Sequence, residues 1–132
     1  MKKKKKILVV DDDQDCIDFA QEILTKEGYE VFTAMDGCEG CDKAKSVCPD
    51  LIILDVMMPK QDGWDTCDKL RDTCEGRTIP IIYLTCVDLP KSHYVDHIAF
   101  DTDWDDYLTK PVPPEELVSV VGRLLQKAAL VS

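Results

Sequence analysis

The residues best suited to chemistry stand where apolar runs end. The segment ILVVDDDQD, residues 7–15, passes from four apolar residues directly into Asp11, Asp12 and Asp13, with Asp15 two positions later. Carboxylates held about 5 Å apart at an effective dielectric near 20 repel by roughly 3 kcal/mol per pair, so such a group needs a cation, a proton or open water. LIILD, residues 51–55, is again apolar until Asp55, while YLT closes on Thr85 and DYLTK on Lys110. Carboxylates without histidine or converging thiolates favour a hard cation, and Mg²⁺ takes one or two of them together with waters and phosphate oxygens. A lysine and a threonine hydroxyl opposite that metal are what a phosphoryl group requires, because its transfer depends mainly on positioning and charge neutralisation.

These residues can meet only if the runs are neighbouring strands. Residues 7–10 read as a buried strand, followed by a helix with Cys16, Ile17, Ala20, Ile23 and Leu24 on one face and its end at Gly28. Residues 29–34 form a second strand, and from Gly37 a helix presents Cys41, Ala44 and Val47 or Cys48 inward. Gly40 in that helix costs about 1 kcal/mol of helix propensity unless packing needs it. After Pro49 comes the strand at residues 51–55, then VMMPKQDG and a helical spacing of Trp64, Cys67, Leu70 and Cys74, entered through Asp62 and Gly63. Residues 79–85 are a fourth strand with Pro80 near its start. A less defined helix follows between Leu89 and Phe100, then a fifth strand at residues 106–109. The last helix starts around Pro113 and Pro114 and carries Leu117, Val118, Val121, Leu124 and Leu125 on one face. Apolar strands alternating with amphipathic helices predict an α/β fold, a parallel sheet covered on both faces with its function at the carboxyl ends of the strands.

Composition narrows the class. At 132 residues the chain is about one domain long. Lys2 to Lys6 precede only four apolar residues, which is no export signal or membrane span, and seven cysteines are an odd number; free thiols in a reducing cytoplasm are expected. The net charge is −10, and five of the sixteen basic residues lie in the N-terminal lysine run. That balance argues against direct nucleic-acid or anionic-membrane binding, and the lysines read as a solvated tail.

Taken in order, ILVVDDD, LIILDVMMPKQDG, YLTC and DYLTKP resemble the receiver domain of two-component response regulators over nearly the whole chain. The resemblance implies a flavodoxin-like (βα)5 fold, a single doubly wound five-stranded parallel sheet of order 2-1-3-4-5, at residues 7–129 between tails at 1–6 and 130–132. It implies that Asp55 is the phosphoacceptor, attacking the phosphorus of a phosphohistidine on a sensor histidine kinase or phosphotransfer protein. Asp12 would bind Mg²⁺ directly, Asp11 largely through water, and Met57 through its backbone carbonyl, with Mn²⁺ able to substitute. Lys110 would pair with the phosphoryl oxygens, Thr85 would hydrogen-bond the arriving group, and Tyr107 would rotate to follow, a two-state switch that alters contacts with a downstream protein or a second copy. Such a domain phosphorylates and dephosphorylates itself and is not a turnover enzyme. Met57 and Val87 flank the path of attacking water and cannot orient it, so slow self-dephosphorylation is expected. Asp13 has no ligand role in the family and reads as a helix cap.

Two other functions compete. Haloacid-dehalogenase-type phosphatases also place Asp-x-Asp after a first strand, and Asp11, Asp13, Thr85, Lys110 and the pair Asp105 and Asp106 can be set into their slots. Against this, Asp15 stands where that family has Thr or Val, and Asp55 is left without a role. A receiver-like binding module that is not phosphorylated is the second alternative, which the presence of Asp12, Asp55, Thr85 and Lys110 disfavours. Cys38 and Cys41 have redox or zinc spacing but read as small core thiols, and His93 and His97 as a solvated helix face without a third metal ligand. Asp101, Asp103 and Asp105 imitate a calcium loop whose sixth position is Asp106 rather than Gly. Trp64 and Trp104 read as packing residues, although Asp103 and Trp104 replace the family's usual small pair.

Overall fold

The computed structural model describes residues 4–55, 79–86, 106–110 and 112–131. Strands β1 (Lys6–Val10), β2 (Glu30–Ala34), β3 (Leu51–Asp55), β4 (Ile81–Cys86) and β5 (Asp106–Lys110) form one five-stranded parallel sheet in the order β2-β1-β3-β4-β5. The helices among the described residues are α1 (Gln14–Lys26), α2 (Gly37–Val47) and α3 (Pro114–Val131). The doubly wound α/β sheet and its strand order agree with the expectation from sequence. Trp64, Cys67, Leu70 and Cys74, the helix expected between residues 89 and 100, and Met57, Val87, His93, His97, Asp101, Asp103, Trp104 and Asp105 lie outside the described residues.

Strand side chains alternate between two covered faces, which is why these runs are apolar at every position. Ile7 and Val9 of β1, Leu51 and Ile53 of β3, Ile82 and Leu84 of β4 and Leu108 of β5 pack with Ile17, Ala20 and Leu24 of α1 and Leu117, Val121, Leu124 and Leu125 of α3. Leu8, Val10, Ile52, Leu54, Ile81 and Tyr83 face the other way, against Ala44 of α2. None of the helices described is long and apolar enough to cross a membrane.

Local chemistry sets the element ends. Asp13 is the N-cap of α1, its side chain accepting from the Asp15 N–H at 3.0 Å. The helix closes at Glu27, and Gly28 takes φ +94°, where a side chain would be strained. Asp36 caps α2 by accepting from Glu39 N–H at 2.9 Å, and the Glu39 carboxylate accepts in turn from Met35 N–H at 3.1 Å. Pro80 supplies no donor, so β4 begins one residue later than Pro80, whose carbonyl accepts from Ile52 N–H at 3.0 Å. At the same amino-terminal end of the sheet Lys6 is held rather than free: its N–H donates to Asp50 Oδ2 at 2.8 Å and its Nζ to the Val47 carbonyl at 3.3 Å, at the C-terminal end of α2. Lys6 therefore belongs to β1 and not to the tail expected for residues 1–6, and α3 carries Leu130 and Val131, expected as tail, to its end.

The inner face of α2 is broader than the expected one. Ala44 is buried and Cys41 and Cys48 pack against the core cluster as expected, and Gly37 and Gly40 are buried as well. The cause is Gly40, where an added Cβ would lie 2.9 Å from Val10 Cγ2 and 3.1 Å from its Cγ1. Val10 is completely buried and its branched side chain has little room to give. Gly40→Ala is therefore expected to lower stability by about 1 kcal/mol in urea unfolding, overpacking outweighing the helix-propensity gain. A more stable variant would contradict this close approach.

Tyr29, half-buried between α1 and β2, has its phenol pKa raised above 10.0, first by burial and then by the carboxylate of Glu27. The folded state favours the neutral phenol, so its contribution is intact below the unfolded pKa and is lost as pH rises through the higher folded one. In unfolding measured from about pH 9 to 11, Tyr29→Phe should lose less stability than the parent. Parallel pH curves would refute the assignment.

Candidate metal and phosphoryl site

In a sheet of this order the chain leaves β1 toward β2 and later returns across β1 to β3. Connecting helices diverge there, leaving a crevice outside the carboxyl ends of β1 and β3. Asp11 directly follows β1 and Asp55 ends β3. The register pairs Val10 with Leu54, so the residues that follow, Asp11 and Asp55, emerge side by side at that crevice. They are the buried charged residues among those described, Asp11 at 0% exposure and Asp55 at 5%. Asp12 is exposed beside them, and carboxylate oxygens of Asp11, Asp12 and Asp55 all lie within 4.8 Å of one another.

The neighbouring acids are separated by backbone hydrogen bonds. Asp11 N–H donates to the Ala34 carbonyl at 3.0 Å, extending the β1–β2 ladder by one residue. Asp11 Oδ1 accepts from Asp13 N–H at 2.9 Å, which turns the chain out of the sheet and into α1. Asp13 then spends its carboxylate on Asp15 N–H and on Cys16 Sγ–H at 3.4 Å, and is not one of the converging groups. Its expected role as a cap agrees with the structure.

Three carboxylates at such distances repel by roughly 3 kcal/mol per pair at an effective dielectric near 20. Because two of them are buried, water screens little of this. An all-oxygen anionic donor set fits a hard divalent cation such as Mg²⁺ and suits a thiophilic ion poorly.

The remaining candidates are placed by strand register. Asp55 pairs with Leu84, so Thr85 lies one residue further toward the same edge of the sheet. Thr85 pairs with Thr109, and Lys110, paired with Cys86, ends β5 at that edge. Tyr107 pairs with Tyr83, further back along β5. Met57 lies outside the described residues. The structure thus brings Asp11, Asp12 and Asp55 into one cluster and sets Thr85 and Lys110 on the adjoining strands. The sequence reading missed the contact between Gly40 and Val10 just behind Asp11; a glycine inside a helical pattern was its only trace. It also misplaced Cys38, which is exposed rather than a core thiol, since the buried face of α2 turns toward Gly37 and Gly40.

Comparison with known proteins agrees with this architecture. The model of the response regulator receiver domain matches residues 7–122. The alkaline phosphatase synthesis transcriptional regulatory protein PhoP of Bacillus subtilis (strain 168) is 39% identical over 126 residues, which are 96% of this chain and 50% of that protein. The DNA-binding dual master transcriptional regulator RpaA of Synechocystis sp. is 40% identical over 123 residues, 92% of this chain and 49% of that protein. A CheY-like response regulator receiver domain protein from Methanospirillum hungatei JF-1 superposes with a TM-score of 0.86 at 28% identity, covering 98% of this chain and 100% of that one. The chain belongs to the response regulator receiver family, whose general properties include phosphorylation and use of Mg²⁺. It spans about half the length of the curated relatives it matches.

Asp11→Asn keeps an oxygen to accept from Asp13 N–H while removing one buried charge. The variant should fold, and should lose most of the stabilisation that Mg²⁺ confers on the parent. Thermal unfolding with and without Mg²⁺ checks both; an unaltered Mg²⁺ response would remove Asp11 from the cation site.

Proposed function

We propose that this receiver accepts a phosphoryl group on Asp55 from the phosphohistidine of a sensor histidine kinase or phosphotransfer protein, with Mg²⁺ held by Asp12, Asp11 and Asp55. The observation that carries the reading is the meeting of Asp55 with Asp11 and Asp12 at the reversal of strand order. A bound cation would supply charge neutralisation for phosphoryl transfer at Asp55. Asp55 contributes the nucleophilic oxygen and is held at the end of β3 by pairing to β1 and β4. Met57 would add its backbone carbonyl to the metal ligands, as the family resemblance implies. Lys110 would balance the phosphoryl charge, Thr85 would donate a hydrogen bond to a phosphoryl oxygen, and Tyr107 would change position as Thr85 does. The receiver unit runs from Lys6 at the start of β1 to Val131 at the end of α3, remains in the cytoplasm, and undergoes self-phosphorylation and slow self-dephosphorylation without turning over a substrate pool. Its readout is an altered surface for a downstream protein or a second copy of the chain.

PhoP and RpaA are named as transcriptional regulators, RpaA as a DNA-binding one. This chain carries a net charge of −10, which supports a protein partner rather than nucleic acid for the receiver surface itself. The phosphatase alternative would make Asp11 the nucleophile and leave Asp55, buried beside it, without a role.

Incubation with acetyl phosphate should add one phosphoryl group per chain, mapped to Asp55 by peptide mass spectrometry, dependent on Mg²⁺ and absent in Asp55→Asn. Labelling at Asp11 with continued donor hydrolysis would overturn the assignment in favour of phosphatase chemistry. A phosphoryl lifetime of seconds or less would contradict slow self-dephosphorylation.

A further inference from the structure

The first turns of α2 hold a feature that phosphoryl transfer does not use. Cys38 and Cys41, within GCEGC at residues 37–41, are the pair of cysteines three apart among the seven in the chain. Cys38 is exposed, whereas Cys41 is partly buried and packs against the core cluster of Leu8, Val10 and Ala44. Neither forms a disulfide in this structure. Helical residues three apart lie on one face with Cβ atoms about 5–6 Å apart, and a disulfide needs about 4 Å. Closing that difference requires the first turn of α2 to shift against its Asp36 cap and the close approach of Gly40 to Val10. Both lie near the N-terminus of α2, Gly37 starts the helix and Gly40 lies between the thiols. Cys16, whose Sγ–H donates to Asp13, and Cys48, at the C-cap of α2, have no cysteine three residues away.

We propose that Cys38 and Cys41 form a redox-active dithiol that reacts with small-molecule or protein disulfides. The exposed Cys38 thiolate attacks one sulfur of a disulfide R–S–S–R, giving Cys38–S–S–R and releasing one R–S⁻. The Cys41 thiolate, one helical turn away, then attacks the Cys38 sulfur, closing the Cys38–Cys41 disulfide and releasing the second R–S⁻. Two protein thiols are oxidised, one external disulfide is reduced, and the two thiol protons leave with the two R–S⁻ groups. The division of labour follows from burial: the accessible sulfur meets the oxidant, and the sheltered one resolves the intermediate.

The test uses the full chain equilibrated in glutathione buffers of increasing oxidised fraction, quenched in acid, alkylated and mapped by peptide mass spectrometry. The expected result is a Cys38–Cys41 peptide lighter by two hydrogen masses, rising with the oxidised fraction as a single two-electron transition. Cys41→Ser should trap glutathione on Cys38, Cys38→Ser should leave Cys41 unmodified, and Cys16→Ser and Cys48→Ser should retain the parental transition. Matching far-UV circular dichroism would show that each variant is folded. A pair that stays reduced in the most oxidising buffer, or a disulfide joining either residue to another cysteine, would overturn the proposal.

Discussion

Mutual repulsion of the carboxylates at the ends of β1 and β3 is the constraint on which the rest of the structure depends. Left to itself, a chain would not bury Asp11 and Asp55 beside each other. It does so because both strands are fixed on either side by apolar packing and by parallel hydrogen-bond ladders, which cannot slip by one residue without turning every buried side chain to the other face. The packing of Ile7, Val9, Leu51 and Ile53 thus holds these carboxylates together at the carboxyl ends of β1 and β3.

The division of labour within DDD follows from backbone direction. Asp11 is inside because its N–H still belongs to the sheet, bonded to the Ala34 carbonyl. Asp13 is outside because its N–H has turned to meet Asp11 and its carboxylate starts α1. Asp12, between them, is exposed yet close enough to join the cluster. One short turn therefore yields a buried carboxylate, an exposed carboxylate and a helix cap from three identical residues.

Much of this was legible in the sequence, and for a physical reason. A central parallel strand is apolar throughout, so the first acid after it marks both the strand end and the crevice, as Asp11 and Asp55 do. Caps were legible because Asp13 precedes a clear helical period. What escaped depended on distances between elements. Gly40 reads as a weak helix residue until Val10 is seen beneath it, and Cys38 reads as core until Gly37, Gly40 and Ala44 are seen to take the inner face of α2. Lys6 reads as the end of a solvated tail until Asp50 and the Val47 carbonyl are seen to hold it. Periodicity carries no information about such approaches, because it sees one element at a time.

The most direct test is a backbone-amide NMR titration of the full chain with Mg²⁺. Cation binding by the converging carboxylates predicts one saturable site, with the largest shifts at Asp11, Asp12, Asp13 and Asp55 and none of comparable size at the exposed acids of α1, Asp18 and Glu22. Shifts that grow without saturation, or that centre on Asp18 and Glu22, would show that Mg²⁺ answers only to the overall negative charge and would contradict the account.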